Sequence, residues 1–182
     1  MADERGLSTH DVTFAAAGVA LMAVASWVTV PVGVVPFTLQ TMAVTFVALA
    51  LRPKAAIASM LAYVLIGAVG VPVFSGMSGG VGVLFGPTGG FIIGFVVATA
   101  AAEAILAHRR TRAAKAFVCV LLVVIMYAFG WAWLMASTGM GPAAAFAAAC
   151  APFILPDVVK VAVGAGLAEA VTSAVPALTS EA

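Results

Sequence analysis

Residues 147–168 read AAACAPFILPDVVKVAVGAGLA, and two charged side chains, Asp157 and Lys160, interrupt an otherwise apolar run. The stretch is long enough to cross a bilayer, where an ionisable group at the helix centre costs about 2.5 to 3.5 kcal/mol on insertion scales. A chain keeps two of them only where they find partners. Their i, i+3 spacing sets both on one helix face, continued by Val161 and Gly164. A carboxylate acceptor and an ammonium donor therefore project together, above a glycine that leaves room for close packing. With Pro156 at the first helical position, Asp157 falls in the first turn, where the helix dipole favours a charged carboxylate. Two readings follow: a ligand site, or a salt bridge that only pins the helix.

Around this stretch the chain is uniformly apolar. Of its 182 residues, 64% are hydrophobic and 8% charged, and the mean hydropathy is +1.21. These values exceed those of a soluble domain and predict an all-α, polytopic protein whose solvent is the lipid bilayer. The net charge of +1, with basic residues scattered in short connections, excludes a nucleic-acid-binding surface. Charge and Gly/Pro clusters divide the chain into six membrane helices: 12–30, 37–51, 55–73, 88–107, 115–137 and 152–174. The expected organisation is an N-terminal tail at 1–11, a six-helix membrane domain at 12–174, and a C-terminal tail at 175–182. Ala15 to Val30 is followed by Pro-rich sequence without a small-residue cleavage site, so the first helix reads as retained. The second segment is short for a span and is expected to join irregular backbone lining a cavity. Residues 141–151 are too few to span alone and read as an extension of the sixth helix around Pro152.

Apart from Arg5 in the N-terminal tail and Lys160 in the last helix, Lys and Arg occur in only two of the connections between these segments, Arg52 with Lys54 and Arg109, Arg110 and Arg112 with Lys115. By the positive-inside rule those loops and both termini are expected on the cytoplasmic side. The uncharged connections, PVGVVPFTLQT, FSGMSGGVGVLFGPTGG and ASTGMGPAAA, then face outward. Asp157 and Lys160, near the outer end of the last helix, converge with them, as a pocket open to the exterior requires. The basic run reads first as a topology signal and second as a docking surface for a cytoplasmic partner.

Catalytic chemistry finds no constellation here. His10 and His108 have no Cys/His cluster beside them, so neither a metal site nor a cofactor is expected. The segment 75–90 holds seven glycines but lacks the GK[ST] ending of a phosphate-binding loop, so any energy source lies in another polypeptide. A membrane enzyme using Asp157 as acid or base lacks a second paired carboxylate or a nucleophile–base pair. Glu103 and Glu169 lie near cytoplasmic helix ends, where snorkelling to water accounts for them. Cys119 and Cys150, near opposite ends of their helices, are too distant for a disulfide and read as inert core residues.

Other polar groups cluster at the outward side. Thr38, Gln40 and Thr41 follow Pro31 and Pro36, which disfavour helix and predict an extended lid or a re-entrant strand over the outer face. They offer neutral donors and acceptors suited to an amide or urea, or to bonding between helices. Trp27, Tyr127, Trp131 and Trp133 read as an interfacial aromatic belt from which one ring lines the site. The first helix carries a small-residue stripe with Ala16, Ala20 and Ala23, suited either to internal packing or to a second membrane subunit.

Four blocks in order, VPFTLQT (35–41), VPVFSG (71–76) with the glycines through 80, GPTGGF (86–91) and PDVVK (156–160), resemble the BioY family, the biotin-specific substrate-binding subunits of energy-coupling factor transporters. The resemblance covers most of the chain. It implies a six-helix membrane protein that takes biotin from outside, with a transmembrane coupling subunit and two cytoplasmic ATPases as partners and Ala16 and Ala20 as the docking residues. Carried over by motif, Asp157 and Lys160 would bind ligand, with Phe37, Thr38, Gln40, Phe74, Ser75 and Thr88 around them. Phe91 stands where the pattern often has Tyr, and no motif transfers to the fifth helix. A solitary facilitator or proton-coupled carrier relaying through Asp157 is the alternative within transport.

Overall fold

The computed structural model describes residues 6–175. The tail boundaries expected before residue 6 and after residue 175 lie outside the described residues. Eight α-helices follow one another among the described residues: α1 Thr9–Trp27, α2 Gln40–Ala50, α3 Pro53–Ala68, α4 Val81–Phe85, α5 Gly89–Leu106, α6 Arg112–Thr138, α7 Pro142–Ala149 and α8 Ile154–Ala174. Between α1 and α2 a minimal antiparallel pair, β1 Thr29–Val30 and β2 Phe37–Thr38, forms a hairpin in register Thr29 with Thr38.

Four segments are long and apolar enough to cross a membrane: Thr9–Trp27, Gly89–Leu106, Arg112–Thr138 and the broken run Pro142–Ala174. The shorter apolar helices α2 and α3 complete six segments in agreement with the sequence. The chain is a multi-pass membrane protein.

Local chemistry explains the helix ends. Ser8 accepts from the Asp11 amide while the Asp11 carboxylate accepts from the Ser8 amide, a capping box that starts α1 earlier than its apolar run suggests. Pro53 and Pro142 open α3 and α7 at the position where a missing N–H costs nothing. Thr111 caps α6, and Gly139, with φ +71°, ends it in the left-handed conformation.

Close approach of helices depends on missing side chains. A Cβ on Gly90 would stand 2.2 Å from the Trp133 Cβ and 2.4 Å from the Phe129 carbonyl oxygen, so α5 and α6 meet backbone to backbone there. A Cβ on Gly164 would lie 2.6 Å from the Met42 carbonyl oxygen, which presses α8 onto α2. The core between the helices is filled by Met22, Val44, Val47, Met60, Tyr63 and Leu122.

Both basic connections collect at one end of this bundle. Arg52, after α2, hydrogen-bonds His10 and lies 3.8 Å from Asp11 at the start of α1. Arg110 and Lys115 share a groove with Leu49, at the end of α2, and with Glu169 and Thr172, at the end of α8.

Several local expectations need correction. Residues 141–151 do not extend the last helix: α7 stops at Ala149, and a 3₁₀ turn over Ala151–Phe153 separates it from α8. Pro152 lies in that turn and cannot donate the amide that a continuous helix would use. Pro156 is the third residue of α8 rather than its first, although Asp157 does lie in the opening turn. Only Phe37 and Thr38 of the expected lid are extended, since α2 already begins at Gln40. Glu103 does not snorkel: it is 2% exposed, and the Arg110 guanidinium donates to it at 3.3 Å. Glu169, by contrast, is exposed. Cys119 and Cys150 are both free thiols.

Candidate binding site

At the end of the bundle opposite the basic connections, α2, α5, α6 and α8 surround a cavity of about 160 Å³. Asp157 and Lys160 form part of its wall and are 4% and 6% exposed. The Lys160 ammonium donates to Asp157 Oδ1 at 2.7 Å, and the Tyr127 hydroxyl donates to Oδ2 at 2.8 Å. Each carboxylate oxygen keeps a lone pair for a further donor. The same ammonium sits 3.6 Å from the centroid of the Phe37 ring, a cation–π contact that holds it at the cavity edge. Phe37 thus acts from beneath Lys160 rather than as lining.

A second polar group faces the first from α2. Gln40 is buried; its Nε2 donates to the Tyr63 hydroxyl at 2.8 Å, and Tyr63 donates to the Val73 carbonyl at 3.0 Å. Thr38 donates to Gln40 Oε1 at 3.1 Å. The amide is therefore locked in one orientation, with one N–H of Nε2 beyond these bonds. Thr41, Thr88, Ser75 and Phe74 also reach the cavity.

Ser75 and Ser78 are placed by a tight loop. Phe74 and Ser78 exchange backbone bonds of 2.9 and 3.3 Å, and the chain between them passes through left-handed Gly76 and Met77. Positive φ at Met77 is uncommon for a residue with a side chain. The turn aims both serines inward; Ser78 donates to the Ser75 carbonyl, and Ser75 lies 3.1 Å from the Thr29 hydroxyl of the hairpin. Gly67 makes room for Phe74, whose ring would meet a Cβ there at 2.1 Å.

The apolar wall is Phe91, Ile92 and Phe95 from α5, Met126 from α6, and Phe153. Of the aromatic belt one ring, Tyr127, lines the cavity, and no tryptophan does. The three indoles instead donate to backbone carbonyls in loops or at a helix start: Trp27 to Pro72, Trp131 to Pro142 and Trp133 to Gly86, at 2.8 to 3.0 Å. They tie down the connections framing the cavity. Tyr127 leaves the belt altogether and joins Asp157.

Tyr63, and the bond from Tyr127 to Asp157, are what the sequence left unread. A signal for Tyr127 existed: α6 buries Val118, Leu122, Met126, Gly130 and Leu134 at four-residue spacing, and Tyr127 adjoins that stripe with a hydroxyl needing a partner. Phe91, lacking a hydroxyl, packs its ring where a Cβ on Gly130 would stand, 2.3 Å away.

Residues 1–177 match the BioY family. This chain is a BioY family member. Among its relatives, a probable biotin transporter BioY of Pyrococcus horikoshii is 39% identical over 163 residues, covering 90% of this chain and 96% of that protein. Biotin transporter BioY2 of Lactococcus lactis subsp. cremoris is 35% identical over 152 residues, or 83% of this chain and 84% of its own. The crystal structure of the S-component for biotin from an ECF-type ABC transporter shares the fold, with a TM-score of 0.79, 20% identity and 90% of each chain covered. BioY membership places the chain among transport proteins rather than enzymes.

Proposed function

We propose that this BioY protein is the biotin-binding membrane subunit of an energy-coupling factor transporter, taking biotin from outside for uptake driven by ATP hydrolysis in partner subunits. The observation that carries the reading is the buried Asp157–Lys160 pair opening onto a cavity. Biotin's ureido ring presents two N–H donors and a carbonyl acceptor. Asp157 accepts from an N–H, and Lys160 donates to the carbonyl while balancing the buried carboxylate. Gln40 and Thr38 add neutral polar contacts beside Ser75 and Thr88, and Phe74 with the α5 aromatics covers the thioether ring and chain. The relatives named as biotin transporters support this ligand. Calorimetry with biotin and other vitamins on the detergent-solubilised protein tests it: biotin is expected to bind tightly, and binding of another vitamin in its place overturns the assignment.

Partner docking is assigned to α1. Ala16 and Ala20 are exposed on one face with Thr13, Ala17 and Val24, whereas Ala23 turns inward to the core. Small exposed residues let a second membrane helix approach closely. Replacing Ala16 and Ala20 by Leu is expected to abolish copurification with the coupling subunit and leave biotin affinity unchanged. Normal copurification rejects this face. Accumulation of biotin in sealed liposomes by the lone protein favours the facilitator or proton-coupled carrier instead. In the proposed orientation the basic end and both termini are cytoplasmic; labelling of cysteines at Arg52 or Arg110 from outside intact cells reverses it.

A further inference from the structure

At the basic end, α6 is longer than a membrane needs. Its 27 residues extend about 40 Å at ~1.5 Å per residue, against a hydrocarbon core of about 30 Å. The first turns of α6 therefore reach the headgroup zone, and the charges there are one-sided. Arg109, Arg110, Arg112 and Lys115 place four cations in seven residues. The opening turn of α6 contains no acidic residue, although the positive end of a helix dipole favours anions and disfavours cations. Two carboxylates face this group: Glu103, held by Arg110 at 3.3 Å, and Glu169 on the far wall. Among the described residues, Arg109, Arg112 and Lys115 have no ion-pair or hydrogen-bonding partner for their side chains.

The surface beside these cations is concave. Arg110 and Lys115 line a groove with Leu49, Glu169, Thr172 and Ser173. The hydroxyls of Thr172 and Ser173 already donate to carbonyls of α8, so recognition there falls to the cations. Phe117, Val120 and Val124 are exposed on the opposite face of α6, which turns to the acyl chains of the bilayer and sets the groove at headgroup depth. A cationic groove and a helix start at headgroup depth together complement the phosphate of a lipid in the adjoining leaflet.

We infer that the groove between the α5–α6 connection and the end of α8 is a binding site for the headgroup of an anionic phospholipid of the adjoining leaflet, its phosphate held by Lys115 in the groove with Arg109 and Arg112, outside the groove lining, adding to the positive field. Arg110, committed to Glu103, shapes the groove. Bound lipid offsets the cations crowded at the start of α6 and stabilises the folded protein.

Native mass spectrometry of the wild type in a mixture of phosphatidylglycerol and phosphatidylcholine tests the preference directly. Retention of phosphatidylglycerol over phosphatidylcholine is expected, and equal retention overturns the site even if every variant fails to fold. Thermal unfolding supplies the second readout. Phosphatidylglycerol is expected to raise Tm while phosphatidylcholine and inorganic phosphate do not; an equal rise with phosphate alone assigns the cations to a free anion and rejects the lipid. In the triple variant Arg109→Gln, Arg112→Gln, Lys115→Gln, the larger part of the phosphatidylglycerol-induced rise is expected to vanish, with biotin affinity retained as the control for folding. An undiminished rise overturns the inference. So does loss of copurification with partner subunits while the lipid preference stays intact, which identifies an acidic protein surface as the occupant.

Discussion

Two buried carboxylates, at opposite ends of the bundle, are paired in contrasting ways. Asp157 and Lys160 belong to one helix, meet at 2.7 Å, and are both nearly inaccessible. Tyr127 donates to the second carboxylate oxygen and Phe37 supports the ammonium. Glu103 instead reaches from α5 to Arg110 in the following connection, at 3.3 Å, with the arginine side chain 31% exposed. Its Oε1 and the hydroxyl of Thr99, one turn earlier, are buried without a partner. The first pair opens on a cavity lined from six helices. The second ties a loop to a helix. A buried ion pair is weak evidence of stabilisation by itself, since desolvation offsets much of the Coulombic gain. What distinguishes the first is its surroundings: its ammonium and carboxylate are fixed at a cavity edge, where the proposed ligand would bond them, whereas the second ends in solvent.

The largest effect is expected from dividing the first pair. Asp157→Ala leaves the ammonium unbalanced and removes an acceptor; Lys160→Ala does the converse. Each lost charge-assisted bond to ligand is worth about 1.5 to 3 kcal/mol, roughly tenfold to a hundredfold or more in biotin affinity. Calorimetry on monodisperse variants measures this. If both retain wild-type affinity and lose only thermal stability, the pair is structural and the contrast between the two ends collapses.

Arg110→Ala tests the other member. It leaves the Glu103 carboxylate buried without its cation, at a cost of about 1 to 3 kcal/mol in stability, read as a lower Tm. Biotin affinity is expected to stay unchanged. A matching loss of affinity would show that the two ends are coupled rather than independent.

Tyr127→Phe is the smallest change and the finest test. It deletes one hydroxyl that orients Asp157, and a loss of about 0.5 to 1.5 kcal/mol corresponds to roughly twofold to tenfold weaker biotin binding. Asp157→Asn in the Tyr127→Phe background then shows whether the tyrosine acts through the carboxylate: its added effect is expected to vanish once the charge is gone. A full additional loss assigns Tyr127 its own contact with ligand.

Much of this was readable from composition and spacing. Apolar runs long enough for a bilayer leave few alternatives to helix, because unpaired backbone groups are too costly in lipid, and the six segments emerged as expected. The i, i+3 spacing of Asp157 and Lys160 is a property of a single helix, so local geometry already brought them together. Ordered motifs identified the family without any contact being known. What required tertiary structure was everything set by which helices pack together: Tyr127 lies 30 residues from Asp157 and Tyr63 lies 23 from Gln40, separations over which periodicity says nothing about contact. Packing likewise took Glu103 out of water, set the indoles on backbone carbonyls and turned Ala23 inward while leaving Ala16 and Ala20 exposed. A helix written almost wholly in apolar residues carries little hydrophobic asymmetry to say which face is inside, and only contact with its neighbours decides it.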